Sequence, residues 1–438
     1  MSTTEVWRAL FSCLWVVLLV WWFHQIWPLL SMPHPCANAG PPRTPRPPKP
    51  GTPELCPACR AKGEPLSLGE SLHVLTRPAP RPWSAVKGRG GRPKERDSRG
   101  RYCPNPRCAY FAITDAAIHA LVAEGHLGPD GSIQNWQCQA CGQHASDRFG
   151  TFLYRLKKPV QVITQTLTSV SQGQGIRATA SSQGVNKDTV LAWWLRLGER
   201  APVLWQEVAQ GKVQVGAVQL DELHTLIKKR ASLLTELEAQ VGEVGVQWVW
   251  TAMDPVHKLL LVAQVGPRTR EMACLVVHAL CQLLTPGCMP AFSSDGLAHY
   301  FTALTAHWGS WQALSQGKRV WQVATTLLYA QVVKQYRRRK LAHVVRRLLL
   351  GTQAAWEATL QAAGTRVSIN TAFVERLNLT LRQSLAALTR RTLCLAKTKR
   401  HLQLRLNAYL AYYNLIREHM TLHTTPACSA GLTNHVWT

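Results

Sequence analysis

Acidic side chains are scarce in this chain: 24 Asp and Glu stand against 50 Lys and Arg in 438 residues, a formal charge of +26 with histidine neutral. A chain so short of carboxylates repels itself unless an anionic partner offsets it; nucleic acid is the usual partner, the anionic membrane surface the next. Long apolar runs are scarce too. The longest, Ala9 to Phe23, has only Ser12 polar among 15 residues and is extended by Ile26 to Leu30 beyond His24 and Gln25. A membrane span wants about 20 apolar residues, so the run is short, although Trp21, Trp22 and Trp27 suit a membrane interface. It also lacks a small-residue cleavage site, and a single Arg makes a thin n-region, which argues against a secretory signal. Residues 1–30 are therefore a membrane anchor, an apolar helix packed on the protein, or the product of a start codon assigned too far upstream. If they insert, Arg43, Arg46 and Lys49 outnumber Arg8 and hold the body in the cytoplasm.

What is present sets the organisation. With 46% apolar residues the chain can bury ample core, its length suggests about three domains, and its 17 scattered tryptophans read as core. Nine prolines between Pro33 and Pro53 make residues 31–55 an extended linker. Lys87 to Arg101, KGRGGRPKERDSRGR, is a basic run that is either a solvated linker or a loose likeness of a hook for AT-rich minor grooves.

Cysteine spacing marks residues 56–158 as a zinc-binding region. Cys103 and Cys108 (CPNPRC) and Cys138 and Cys141 (CQAC) form two tight thiolate turns, together the four ligands of a tetrahedral zinc site, with the helix-like DAAIHALV between them. Cys56 and Cys59 (CPAC) lack an obvious second half; His73 is one partner for them, and a pair without metal is the alternative. Cys274, Cys281 and Cys288 recur every seven residues and read as core.

Residues 159–200 carry a helix-turn-helix pattern. The expected helices are Val160 to Ser171, Ile176 to Gln183 and Asn186 to Leu197, with Gly184 at the turn, Asn186 capping, and Val190, Trp194 and Leu197 on the buried face. Lys187, Thr189 and Arg196 then face outward, and the third helix is the one that enters a major groove.

From residue 213 the pattern changes to strands: Val213 to Leu220, Val246 to Ala252, Lys258 to Val265 and Pro290 to Ser293, with a helix at Arg270 to Leu284 before the last. An antiparallel meander, a crossover helix and a further strand bring Asp221 and Asp295 onto neighbouring strands. Each Asp is expected where a strand ends, the place open sheets put ligand sites. Glu222 falls on the opposite face if its strand continues, so it stands outside the expected set unless a turn there brings it back. Asn370 to Thr392 spaces Val374, Leu377, Leu381, Leu385 and Leu388 on one face of a helix about five turns long, capped by Asn370 or Thr371, with Glu375, Asn378 and Arg382 along its edge. Two aspartates and a helical glutamate are the oxygen ligands that a pair of divalent cations needs for in-line phosphoryl transfer. Tyr336 to Lys340, YRRRK, is either a phosphate-gripping run or a solvated helix face.

The segments LDELHTLI, FSSDGLAHY, NTAFVERLNLTLRQSLAALTRRT, YYNLIREHM and TPACSAGL resemble the DDE transposases of bacterial insertion sequences, most closely the first-numbered family, over about Cys103 to Leu432. That resemblance implies a ribonuclease-H-like α/β catalytic core over residues 213–395, preceded by zinc-ribbon and helix-turn-helix modules and followed by a C-terminal helical extension over 396–438. It implies Asp221, Asp295 and Glu375 as a triad for two Mg2+ or Mn2+ ions. Arg376, Asn378, Arg382, Arg391 and Thr392 match the VER-x-N-x-x-x-R and R-[KR]-T pattern as DNA contacts, with Arg391 where the family commonly has Lys. Double-stranded DNA as partner, homo-oligomers on DNA and a cytoplasmic, nucleoid-associated site of action are further expectations. Two other classes stay open: a DNA-binding regulator without chemistry, and a ribonuclease-H-like nuclease that cuts without joining.

Overall fold

In the computed structural model, residues 101–437 are described apart from 116–117, 129–130, 230, 314–318 and 339. The apolar run 9–30, the proline-rich linker, Cys56, Cys59, His73 and the basic stretch up to residue 100 lie outside the described residues. Among the described residues no helix is long and apolar enough to cross a membrane. The chain forms two compact units, Met1–Pro159 and Val160–Thr438.

The described part of the first unit is an antiparallel sheet of three strands, β1 (Leu121–Leu127), β2 (Ile133–Cys138) and β3 (His144–Ser146), in sequence order. Its core is small: Cys103, Cys108, Tyr110, Ala120, Leu121, Trp136 and Cys138. The described residues of DAAIHALV form no helix, and Leu121 and Val122 open β1. Eight residues are too few to hold a helix without tertiary support, and here Ala120 gives its carbonyl to the Gln139 N–H beside the second thiolate turn.

The second unit opens with α1 (Val160–Ser171), α2 (Ile176–Ser182) and α3 (Lys187–Ala209). Gly184 turns between the last two at φ +60°, and the Asn186 side chain accepts the Asp188 N–H as N-cap. α3 runs 12 residues beyond the expected stop at Leu197 and contains Pro202. Pro202 leaves the Gly198 carbonyl without its helical donor; Asn407 Nδ2 supplies one at 3.3 Å. The second half of α3 thus belongs to the core.

Next come β4 (Ala217–Ile227), α4 (Glu236–Val241), β5 (Gly245–Met253), β6 (Leu260–Gly266), α5 (Arg270–Leu283), β7 (Ala291–Ser294), α6 (Ala298–His307), the ribbon β8 (Gly309–Ala313) and β9 (Arg319–Val323), β10 (Leu328–Arg337) and β11 (Lys340–Leu350). Six of these strands form one mixed sheet in the order β11-β10-β7-β4-β5-β6. β4, β5 and β6 are antiparallel neighbours; β7 is parallel to β4, β10 parallel to β7, and β11 antiparallel to β10. β4 does not stop at Leu220 but runs through Asp221 to Ile227, buried on both faces for most of its length, as a central strand should be. It also starts later than Val213, which makes only an isolated bridge to Leu284. In YRRRK, Tyr336 and Arg337 end β10 and Lys340 opens β11, so these residues lie on strands and not on a helix.

Four helices complete the unit: α7 (Gln353–Ala362), α8 (Ala372–Ser384), α9 (Lys399–Ala411) and α10 (Pro426–Ser429). α8 is shorter than five turns: at Leu385 the backbone turns extended and a 3-10 turn, Ala386–Leu388, follows. The apolar stripe survives the break, with Val374, Leu377, Leu381, Leu385 and Leu388 all buried. Asn370 Oδ1 accepts the Ala372 N–H at 3.3 Å, while Thr371 makes no cap bond to the backbone. The edge strand β6 is protected by side chains in place of a further strand: Gln403 bonds the Val265 N–H and the Ala263 carbonyl, and Asn414 bonds both backbone groups of Leu260.

Candidate metal centres

The first centre lies where β7 ends. Ser294, its last residue, pairs with Leu220, so beyond that point the edge of β4 is open and Asp295 turns across it. Asp221, Glu222 and Asp295 each bring a carboxylate oxygen to within 4.8 Å of the others. Glu222 joins the other two although β4 continues as a strand past Asp221, because both residues flank the edge that β7 leaves open. Asp221 folds back to accept the Glu222 N–H at 2.9 Å, and its other oxygen accepts Asn378 Nδ2 at 2.8 Å. Thr251 Oγ1 donates to the Asn378 amide oxygen at 3.3 Å and fixes its orientation.

The local charges are unbalanced. Burial and the neighbouring Asp295 push the Asp221 carboxyl up to about 6 and Glu222 up to about 7. Among the described residues the ion pairs to the trio come from Arg268, which reaches Glu222 Oε2 at 3.0 Å and Asp295 Oδ2 at 3.8 Å while stacking over Trp248 at 4.7 Å; the charge of Asp221 is also felt at Arg382. Glu222 Oε1 is buried and makes no hydrogen bond of good geometry among the described residues, although the buried Tyr300 hydroxyl interacts with the Glu222 carboxylate. Three clustered carboxylates are a donor set suited to a hard divalent cation, and the trio could bind one.

Glu375 stands outside that trio. It shares the edge of α8 with Asn378, and its charge is felt at Asp221, but Lys334 Nζ on β10 donates to both of its oxygens at 2.7 Å and Thr371 Oγ1 to one of them at 2.7 Å. Arg382, a turn further along α8, has a buried Nε without a hydrogen-bond partner, and burial lowers its pKa. Arg376 and Arg391 are exposed, Arg391 at φ +55°, and Thr392 Oγ1 accepts the Cys394 N–H. On α3, Lys187 is exposed at the first turn, whereas Thr189 and Arg196 are half-buried.

The second centre is the cysteine cluster. Cys103 and Cys141 sulfurs lie 3.6 Å apart, Cys108 and Cys138 3.8 Å, and all four within 4.8 Å. Zinc bonds of about 2.3 Å in a tetrahedron imply sulfur separations of about 3.8 Å, so the cluster fits such an ion. Hydrogen bonding among the sulfurs pushes Cys103 up and pulls Cys138 down, whereas at Cys108 the Cys103 contact lowers and the Cys138 contact raises, and burial helps tip the balance upward.

Glu222, Arg268 and Lys334 are the site residues that strand and helix periodicity did not single out. The one available signal was the adjacency of two acids in LDELH. No family model matches the chain, and no curated protein matches it.

Proposed function

We propose that this chain is a DDE-type transposase with a ribonuclease-H-like core, which binds the ends of a mobile DNA element and carries out divalent-metal-dependent strand cleavage and strand transfer. The observation that carries the reading is the meeting of Asp221 and Asp295 across the parallel pair β4 and β7, in a sheet whose β6-β5-β4-β7-β10 order is the meander, crossover and parallel extension of that fold. Asp221, Glu222 and Asp295 would hold the ion; Glu375, across the helix edge from Asp221, would complete the ligands for a second. Ions bound there supply activation of an attacking oxygen and stabilisation of a leaving one. Asn378 holds the Asp221 carboxylate in place, and the α2–α3 turn with Lys187 at the mouth of α3 suits a DNA groove. The resident ion of the cysteine cluster is zinc, with a structural role.

The test is incubation with DNA flanking the protein's own gene, scoring nicks and joined products. Asp221→Asn, Asp295→Asn and Glu375→Gln should each lose at least about a thousandfold in rate, roughly 4 kcal/mol of barrier, with binding to the element ends retained. Nicks without joined products would favour a nuclease, and binding without any nick a regulator that has lost chemistry.

A further inference from the structure

β10 does not end with its parallel partner. Gln331 pairs with Ser294, the last residue of β7, and β10 continues to Arg337. Six residues at about 3.4 Å each project roughly 20 Å past the carboxylate end of the sheet. β11 returns alongside, so the projection is a two-stranded arm. It rises beside the trio: a Cβ on Gly296, next to Asp295, would lie 3.3 Å from Val333 Cγ2, and Lys334 touches Glu375.

The arm is of one charge. No Asp or Glu occurs between Asp295 and Glu357, a stretch that holds Lys334, Arg337, Arg338, Lys340, Arg346 and Arg347. Arg346 and Arg347 are engaged by the Ile369 carbonyl and the Gln331 amide. Arg337, Arg338 and Lys340 are exposed at the tip and form no ion pair among the described residues. Tyr336, also exposed, adds an aromatic face. A row of unpaired cations with an aromatic at its tip suits a phosphate backbone.

Resting on the reading above, we infer that Lys334 is an internal counter-ion that occupies Glu375 until duplex DNA lies along the β10–β11 arm, so that DNA binding frees Glu375 and completes the metal centre. With its ammonium against both Glu375 oxygens, Lys334 neutralises that carboxylate and repels a divalent ion from it. The pair is partly exposed, and such pairs contribute little to stability, so exchanging it costs little. Phosphates along the arm give the flexible Lys334 side chain alternative anions to its present partner. By linkage, DNA must then tighten metal binding and metal must tighten DNA binding by the same factor. The device keeps the centre incomplete in the absence of substrate.

The experiment measures Mn2+ affinity of the full chain by calorimetric titration with and without a 30-base-pair duplex (about three helical turns). For the wild type, the duplex should tighten Mn2+ binding about tenfold. Lys334→Gln should bind Mn2+ about tenfold tighter than wild type without the duplex and gain little from it; Lys334→Arg should keep most of the coupling. The Arg337→Gln, Arg338→Gln, Lys340→Gln triple variant should match wild type without the duplex and lose the coupling, with the slope of log affinity for DNA against log salt reduced by about 3. Mn2+ binding that is equal in wild type and Lys334→Gln, or coupling that survives in Lys334→Gln, overturns the inference and leaves the metal centre standing. A wild type that binds no Mn2+ under either condition overturns the transposase reading itself.

Discussion

Glu222 is the residue on which the first centre turns, because its carboxylate is buried and, among the described residues, pairs with Arg268 alone. A carboxyl whose pKa is raised on folding binds its proton more tightly in the folded state. Its stabilising contribution is therefore complete below the unfolded value and is lost as pH climbs through the folded one. For Asp221 and Glu222 that window runs from about 4 to about 7. The metal-free wild type should lose stability across it, and Glu222→Gln, which keeps the shape but cannot ionise, should show a flatter profile. A divalent cation inverts the balance, since it favours the ionised form. Added Mn2+ should raise the melting temperature of the wild type more at pH 8 than at pH 5.5, and raise that of Glu222→Gln less at either pH. Melting curves that give the two proteins the same pH profile would remove Glu222 from the cluster.

At the scale of elements, α3 runs from the α2–α3 turn into the core, and Gly198 lies where it meets α9. A Cβ there would fall 2.0 Å from the Leu404 carbonyl oxygen on α9, so α3 and α9 cross with their backbones nearly in contact. Gly198→Ala sets two effects against each other: helix propensity gains about 1 kcal/mol, while a clash with backbone cannot be relieved by turning a side chain and costs about 1–3 kcal/mol or more. The clash should win, and denaturant unfolding should show a net loss; a more stable variant would mean the crossing is looser than it looks. The same crossing explains what the sequence could and could not convey. Strands β5, β6 and β7 and helices α1 and α5 fall within a residue or two of their expected limits, because their apolar periods are set locally. α3 overran its expected stop because the partners of Gly198 and Pro202 lie some 200 residues away, at Leu404 and Asn407. β4 overran Asp221 because a central strand buries polar residues that alone read as a strand end. α8 kept its buried stripe but not its length, since Leu385 and Leu388 are buried as well by a 3-10 turn as by a helix. Asp221 and Asp295 could be paired from strand order alone; Glu222, Arg268 and Lys334 depend on how far one strand outruns its neighbour, which period and composition do not encode.

At the scale of the whole chain, the two units are held together by different means. The second has a six-stranded sheet with helices and an extended apolar core. The first, in its described part, packs round a cluster of seven buried residues, three of them cysteines, a small apolar area for three short strands. A zinc ion held by the four cysteines would supply an apparent 10–16 kcal/mol, roughly the whole stability of a domain. Protein purified under reducing conditions should therefore carry at least one zinc, and two equivalents by elemental analysis would assign Cys56 and Cys59 to a second site. Cys138→Ser removes the most buried sulfur of the four and leaves three ligands, so it should lose the ion and weaken DNA binding. Hydrogen exchange gives the spatial readout. In Cys138→Ser, and in wild type stripped by a chelator, amides of β1 to β3 should lose protection to the level of an unfolded chain, while those of β4 to β7 and α9 keep theirs. Protection of β1 to β3 that persists in metal-free protein would show that the sheet folds without zinc. Loss of protection in both units together would show that they fold as one.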